Sequence, residues 1–179
     1  MATIQLVKPT KEHEAAMLDY LQEHRSLGEH ELHGASLLEK MESYDAWLQH
    51  LSDLSDESTV GENWVQATTF LAVEENDQRV VGILDVRHYL NEVLLNYGGH
   101  IGYGVRPSER RKGYASQILC LALDYCKTLN LEKVMVACEK SNLASAKTIQ
   151  KNGGFLTREF IHSDGKAVQI YWITLTNKN

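Results

Sequence analysis

The stretch Val105-Arg106-Pro107-Ser108-Glu109-Arg110-Arg111-Lys112-Gly113-Tyr114-Ala115 constrains this chain more than any other. An apolar strand pattern stops at a proline, a short loop turns, and a basic segment with one glycine enters a long helical pattern. The first N–H groups of such a helix have no partners within it, and the helix dipole adds partial positive charge there. Gly113 lets an anion approach the backbone closely, and Ala115 keeps the next turn narrow. Arg110, Arg111 and Lys112 add positive charge. Together these residues suit a pyrophosphate cradle. Taken alone, Arg-x-x-Gly-x-Ala also describes an ordinary solvated helix start. The strand, the proline, the loop length and the helix around it favour the cradle.

Elements on either side follow from periodicity. Residues 3–8 alternate as a strand. Pro9-Thr10 opens a helical stretch carrying Ala15, Leu18 and Leu21, which Gly28 ends. Residues 35–54 read as a second helix, with Leu37, Leu38, Met41, Tyr44, Trp47, Leu48 and Leu51 on one face. Thr68–Val73 and Arg79–Val86 flank a polar turn and form a hairpin. A loop over 89–98 leads to a strand from His100 to Val105. The helix over 111–129 buries Ala115, Ile118, Ala122, Tyr125 and Leu129. Val134–Cys138 is a continuous apolar run, which suits a strand buried on both faces and usually parallel to its neighbour. A short helix from Asn142 to Asn152 closes at Gly153-Gly154. Two strands, Phe155–Ile161 and Ala167–Thr176, join through Ser163-Asp164-Gly165. This order is not the regular alternation of a doubly wound sheet. It predicts an α/β fold of mixed type, with a central, mostly antiparallel sheet of about seven strands, helices on both faces and one strand–helix–strand crossover.

The chain has 179 residues, which suits one domain spanning 1–179. Its net charge of −6 argues against a general nucleic-acid binder, which would carry a basic excess. It lacks the apolar run of about eighteen residues that a membrane span needs, and its N-terminus lacks the layout of a signal peptide. Cys120, Cys126 and Cys138 are an odd set without close pairing, so they read as core thiols in a reducing cytoplasm rather than a disulfide framework. The eight histidines show no metal-ligand spacing, so no metal is expected and most should be solvated.

The sequence resembles the GNAT superfamily of N-acetyltransferases, and within it a bacterial group of predicted acetyltransferases. Arg110, Gly113 and Ala115 behind Val105-Arg106-Pro107 match its first signature. Val134–Cys138, Asn142 and Gly154-Phe155 match its second, with Gly153 as one extra glycine. The resemblance is specific over 100–156 and architectural elsewhere. It implies acetyl-CoA as co-substrate and a primary amine, on a small molecule or a peptide, as acceptor, with direct attack in a ternary complex. The backbone of Arg111, Lys112, Gly113, Tyr114, Ala115 and Ser116 would hold the pyrophosphate, with Arg110 beside it. The pantetheine arm would add to the strand edge at Tyr103 and Val105. The Tyr103 N–H would polarise the thioester carbonyl, and Asn142 would contact the arm. A cytoplasmic protein follows, and a homodimer is common in the superfamily.

Two positions depart from the family pattern. Many members carry a tyrosine in the last helix as general acid for the thiolate, and Ile149 stands there. Many carry a glutamate as general base where this chain has His100, whose ordinary pKa suits that role. Asp85 or a water chain would serve instead, and His100 reads equally as a solvent-facing strand end. The acceptor site should involve the first two helices and the 89–98 loop. There Asp19, Glu23, Glu29 and Glu31 form either a site for a cationic amine or a solvated helix face. A non-catalytic acyl-CoA-binding module is the main rival reading. A different nucleotide is disfavoured, because the chain lacks the P-loop and dinucleotide fingerprints.

Overall fold

The two β-branched runs on either side of Glu75-Asn76-Asp77-Gln78 pair as the expected antiparallel hairpin, β2 (Ala67–Glu74) with β3 (Val80–Arg87). The computed structural model describes residues 2–175, so Thr176, the expected end of the last strand, lies outside the described residues. Around the hairpin the order is β1 (Ile4–Val7), α1 (Glu14–Ser26), α2 (Tyr44–Ser55), β2, β3, α3 (Glu92–Asn96), β4 (Ile101–Val105), α4 (Tyr114–Thr128), β5 (Lys133–Glu139), α5 (Leu143–Lys151), β6 (Phe155–Ile161) and β7 (Ala167–Thr174). The mixed α/β architecture and the seven strands agree with the sequence.

The strands form two hydrogen-bonded sheets, β1-β2-β3-β4 and β5-β7-β6. The parallel neighbour expected for Val134–Cys138 is not found. Its registered partner is β7, and that pairing is antiparallel. A strand can be apolar on both faces without a parallel neighbour: Val134 and Val136 pack in the core that α4 and α5 cover, and Met135 packs with Val168 and Ile170, against Leu90, Phe160 and Trp172. The four-stranded sheet has a helix layer on each face. Ile118, Leu119, Ala122 and Cys126 of α4 pack on one face with Phe70, Leu84, Val86 and Ile101. Met17, Tyr20 and Leu21 of α1, with Trp47 of α2, pack on the other with Leu71, Val73 and Ile83. Burying a side chain of the size of Ile118 contributes roughly 1.5–3 kcal/mol.

The helix expected over 35–54 begins only at Tyr44, where Ser43 caps it by accepting from the Ala46 N–H at 3.1 Å. Before that, Gly34, Ser36 and Leu37 are left-handed (φ 77°, 47° and 65°) and Leu38–Lys40 is a short 3₁₀ turn. Ala35, Leu38 and Met41 there pack in the core shared by α1, α2 and the sheet while Leu37 lines a cavity, so burial at near-helical spacing arises without a helix. Trp47 Nε1 ties the segment down by donating to the Ala35 carbonyl at 2.8 Å. Smaller differences are that the 89–98 loop holds α3 and that Cys120 is exposed while Cys126 and Cys138 are buried. Among the described residues no helix is long and apolar enough to cross a membrane.

Candidate active site

The site is built where the two sheets part. They touch at one bridge, Gly99 with Val136. There the His100 N–H donates to the Met135 carbonyl at 2.8 Å, and the Met135 N–H donates to His100 Nδ1 at 3.0 Å. Beyond this point β4 pairs only with β3. Arg87 N–H bonds to the His100 carbonyl and Arg106 N–H to the Val81 carbonyl, both at 2.8 Å. That parity turns residues 102 and 104 toward β3. It turns the N–H and carbonyl groups of Tyr103 and Val105 to the open edge. The structure thus leaves Tyr103 and Val105 as free strand-edge positions, except that the Val105 carbonyl accepts from Arg110 Nε at 3.3 Å.

Past Pro107, a 3₁₀ turn (Pro107–Glu109) leads to two left-handed residues close together, Arg111 (φ 62°) and Gly113 (φ 88°). Alternation of this kind points successive N–H groups into one concavity. Helix α4 starts at Tyr114, and the bond from Gln117 N–H to the Gly113 carbonyl at 3.3 Å is its first. The N–H groups of Tyr114, Ala115 and Ser116 therefore precede any intrahelical acceptor. The Ser116 hydroxyl accepts from Asn152 Nδ2 at 3.2 Å, joining α4 to the end of α5. The Tyr114 side chain is buried in the core and does not face the site.

A cavity of about 570 Å³ opens beside the free edge, with Tyr103, Cys138, Asn142 and Ser145 on its inner wall. The Tyr103 hydroxyl and Ser145 Oγ lie 3.0 Å apart. Burial pushes the Tyr103 phenol up to about 12. Asn142 caps α5 by accepting from the Ser145 N–H at 3.0 Å, which sets Ser145 one turn along on the same face. Asp85 also lines the cavity and is almost completely buried. Its Oδ2 pairs with Arg87 Nε at 2.9 Å, while its Oδ1 has no hydrogen-bond partner. Burial raises the Asp85 carboxyl above its ordinary value against the pull of Arg87. Gly102 makes room for it, since a Cβ there would fall 2.6 Å from Asp85 Oδ1. His33 and Gly34 cross the same face of β4. A Cβ on Gly34 would fall 2.6 Å from the Gly102 carbonyl oxygen.

A family model described as an acetyltransferase (GNAT) domain matches residues 3–154. The chain belongs to the GNAT acetyltransferase family. Against curated proteins the sequence has no match. Among solved structures it is similar to RimL, a ribosomal L7/L12 alpha-N-protein acetyltransferase in complex with coenzyme A, at 16% identity and TM-score 0.70, over 98% of this chain and 96% of that one. It is similar to a ribosomal-protein-S5-alanine acetyltransferase from Vibrio fischeri at 17% identity and TM-score 0.70, over 98% and 94%. A spermidine N-acetyltransferase SpeG chimera from Vibrio cholerae and hSSAT gives 15% and 0.65, over 96% of each. At these identities the likeness is one of fold.

Within this GNAT domain, three residues singled out from the sequence sit differently from expectation. The Arg110 side chain does not project into the concavity of the cradle. It grips Glu29 through two bonds of 2.6 Å. Lys112 is also paired, with the buried Glu109 at 2.8 Å, leaving Arg111 as the cradle cation with no ion pair among the described residues. His100 is neither solvent-facing nor on the cavity wall. It is buried, its Nδ1 lone pair is taken by Met135, and burial with the charge of Arg87 lowers its pKa to about 4. The acids of α1 and of the chain just after it are likewise engaged, Asp19 and Glu23 with Arg106 at 2.7 and 2.9 Å and Glu29 with Arg110. Only Glu31 of that set lacks an ion pair among the described residues, and it does not line the cavity. Ser145 was missed from the sequence, although its position one helical turn after Asn142 pointed at the same wall. Ile149 at the usual tyrosine position is fully buried in the core.

Proposed function

We propose that this domain transfers the acetyl group of acetyl-CoA to a primary amine by direct attack in a ternary complex. One observation carries the reading. The unpaired edge of β4 starts at Tyr103 on the cavity wall, where Asp85 also lies, and ends at Val105, from which the chain runs through Pro107 into the left-handed turn before α4. The N–H groups of Arg111 to Ser116 would hold the pyrophosphate, aided by Arg111. Tyr103 and Val105 would pair with the pantetheine amides by strand addition. Asn142 would border the arm. The coenzyme-A-bound RimL structure supports this assignment through fold likeness.

Acetyl-CoA supplies an acyl group on a thiol leaving group. The Tyr103 N–H donates toward the acyl oxygen, where negative charge gathers in the transition state. Asp85, the cavity-lining carboxyl with one unpaired oxygen, takes the proton of the incoming amine through a bridging water, since that oxygen has almost no open surface of its own, and its raised pKa makes it a better base than an ordinary carboxylate. His100 is left a structural part, holding the two sheets together where the cleft begins. The Tyr103 hydroxyl, kept protonated by burial and ordered by Ser145, supplies the hydrogen bond to the leaving thiolate that Ile149 does not. Asp85 reaches the cavity from the α1–α2 face of the sheet and the Tyr103 ring from the α4 face, and a base and a donor lining the same cavity favour catalysis over a purely sensing module.

The test is thermal melting with and without acetyl-CoA, beside Gly113→Glu. Acetyl-CoA at a hundred times its Kd should stabilise the protein by roughly 2.7 kcal/mol. The variant should lose that gain, because its carboxylate would occupy the concavity and repel phosphate. No stabilisation of the unmodified protein would remove the transferase reading.

A further inference from the structure

The acceptor end of the cavity has a composition of its own. Away from Tyr103 and Ser145 it is walled by Leu54, Trp64, Val65, Val93, Leu94 and Tyr97, drawn from the end of α2, the loop before β2, and α3 with the residue that follows it. Three of these are unusually exposed for their size, Trp64 at 48%, Val93 at 70% and Tyr97 at 39%. They surround the opening instead of packing in the core.

Charge on the cavity wall is scarce and mostly cancelled. Its acidic residues are Asp85 and Glu139. Glu139 pairs with Lys166 at 2.6 Å, and Asp85 Oδ2 pairs with Arg87. Arg87 is itself turned toward the Gly98 and Gly99 carbonyls at 3.4 and 3.3 Å. One buried carboxylate oxygen, Asp85 Oδ1, is left without a partner. The acids of α1 and the chain after it that would have received further cationic groups, Asp19, Glu23 and Glu29, are bound to Arg106 and Arg110 instead. Asp85 Oδ1 has almost no open surface, so the space offers at most one position for an ammonium group, with an apolar wall beyond it. A second ammonium would have to enter that apolar end without a counter-charge, which is costly.

We infer that the acceptor is a monoamine whose chain carries an aromatic or branched apolar group, an arylalkylamine in its simplest form. Trp64, Val93, Leu94 and Tyr97 are the residues that select it. The inference rests on the transferase reading, because it assigns the second substrate of the same site. Trp64 provides an exposed ring on the cavity, and α3 brings Val93 and Leu94 to the same cavity. Asp85 sets the nitrogen at the inner end, on the face of β3 and β4 that Gly102 leaves open.

The experiment follows thiol release from acetyl-CoA with three acceptors: phenethylamine, spermidine, and a short peptide with a free N-terminal serine. Melting with acetyl-CoA is measured in parallel. Phenethylamine should give a kcat/KM at least roughly tenfold above the other two, in the range that apolar pocket contacts discriminate. Trp64→Ala should raise KM for phenethylamine about tenfold and leave kcat and the acetyl-CoA melting shift unchanged. Val93→Asp, at an exposed position that folding does not depend on, should narrow the preference by admitting spermidine. A preference for spermidine or for the peptide overturns the inference. So does stabilisation by acetyl-CoA without phenethylamine turnover, or a Trp64→Ala variant that slows all acceptors equally. Absence of stabilisation by acetyl-CoA overturns the transferase reading itself, and the inference falls with it.

Discussion

Arg110 and Glu29 meet in a two-pronged ion pair, Nη1 to Oε1 and Nη2 to Oε2, both at 2.6 Å. The arginine of the GNAT motif therefore fastens the chain after α1 to the loop before α4. Glu29 also receives His24 Nδ1 at 2.7 Å, and Arg106 performs a similar task one turn away with Asp19 and Glu23. The acceptor-side segment and the cradle loop are held as one piece.

This pair gives stability a defined acid limb. The guanidinium of Arg110, opposed in part by burial, holds the Glu29 carboxyl at about 2 against an ordinary 4.5. A carboxyl lowered on folding stabilises the protein above its unfolded pKa, and the contribution is lost as pH falls through the folded pKa. The Tm difference between the unmodified protein and Glu29→Gln should be constant above about pH 5 and shrink between about 4.5 and 2. The exposed location of Arg110 makes the difference modest and salt-sensitive. Melting curves across that pH range check it.

Asp85 should control the acid limb of catalysis. Asp85→Asn preserves shape and removes the base, so kcat should fall about 10²–10⁴-fold with little change in acetyl-CoA binding. The kcat/KM profile of the unmodified enzyme should fall on the acid side at a pH above the ordinary carboxylate range, since burial raises this pKa. Retention of activity by the asparagine variant would exclude the role.

His100 offers the opposite expectation. Its imidazole is lowered to about 4 from 6.5, so the unfolded chain binds a proton in that window and the folded one does not. Stability should decline as pH falls from about 6.5 to 4. His100→Asn can still accept from the Met135 N–H, so it should reduce that slope, to which the lowered His24, His50 and His88 also contribute, while leaving kcat within about tenfold. A collapse of kcat with normal folding would restore His100 as the base.

The contrast between these two residues shows what the sequence made legible. Val105–Ala115 defined its own local structure, because a proline, a glycine and a helix start admit few conformations. The choice of Tyr103 and Val105 as edge positions came from the family resemblance, not from the motif's own spacing. What could not be read is where side chains turn when several partners compete. Arg110 prefers Glu29, far away in sequence, and His100 finds a buried N–H on β5. Likewise residues 35–43 carry apolar side chains at helical spacing, yet Gly34, Ser36 and Leu37 adopt left-handed backbones to pass over β4. Periodicity registers burial, not the path taken to reach it.

Tyr103 carries two functions in one residue, and they separate by experiment. Its N–H belongs to the open strand edge, and its hydroxyl lies 3.0 Å from Ser145 Oγ. Tyr103→Phe keeps the backbone and the ring, so acetyl-CoA should stabilise the variant as before. Loss of the donor should lower kcat about a hundredfold near neutral pH. The deficit should shrink as pH rises past about 8.5, the ordinary thiol pKa, because the thiolate then leaves without needing a proton. The phenol itself stays protonated throughout, since burial holds it at about 12. Ser145→Ala leaves the phenol in place but less well ordered, and should cost less than Tyr103→Phe. Rates for both variants from pH 6 to about 9.5 separate a donor from a packing role, because lost packing would depress kcat equally at every pH.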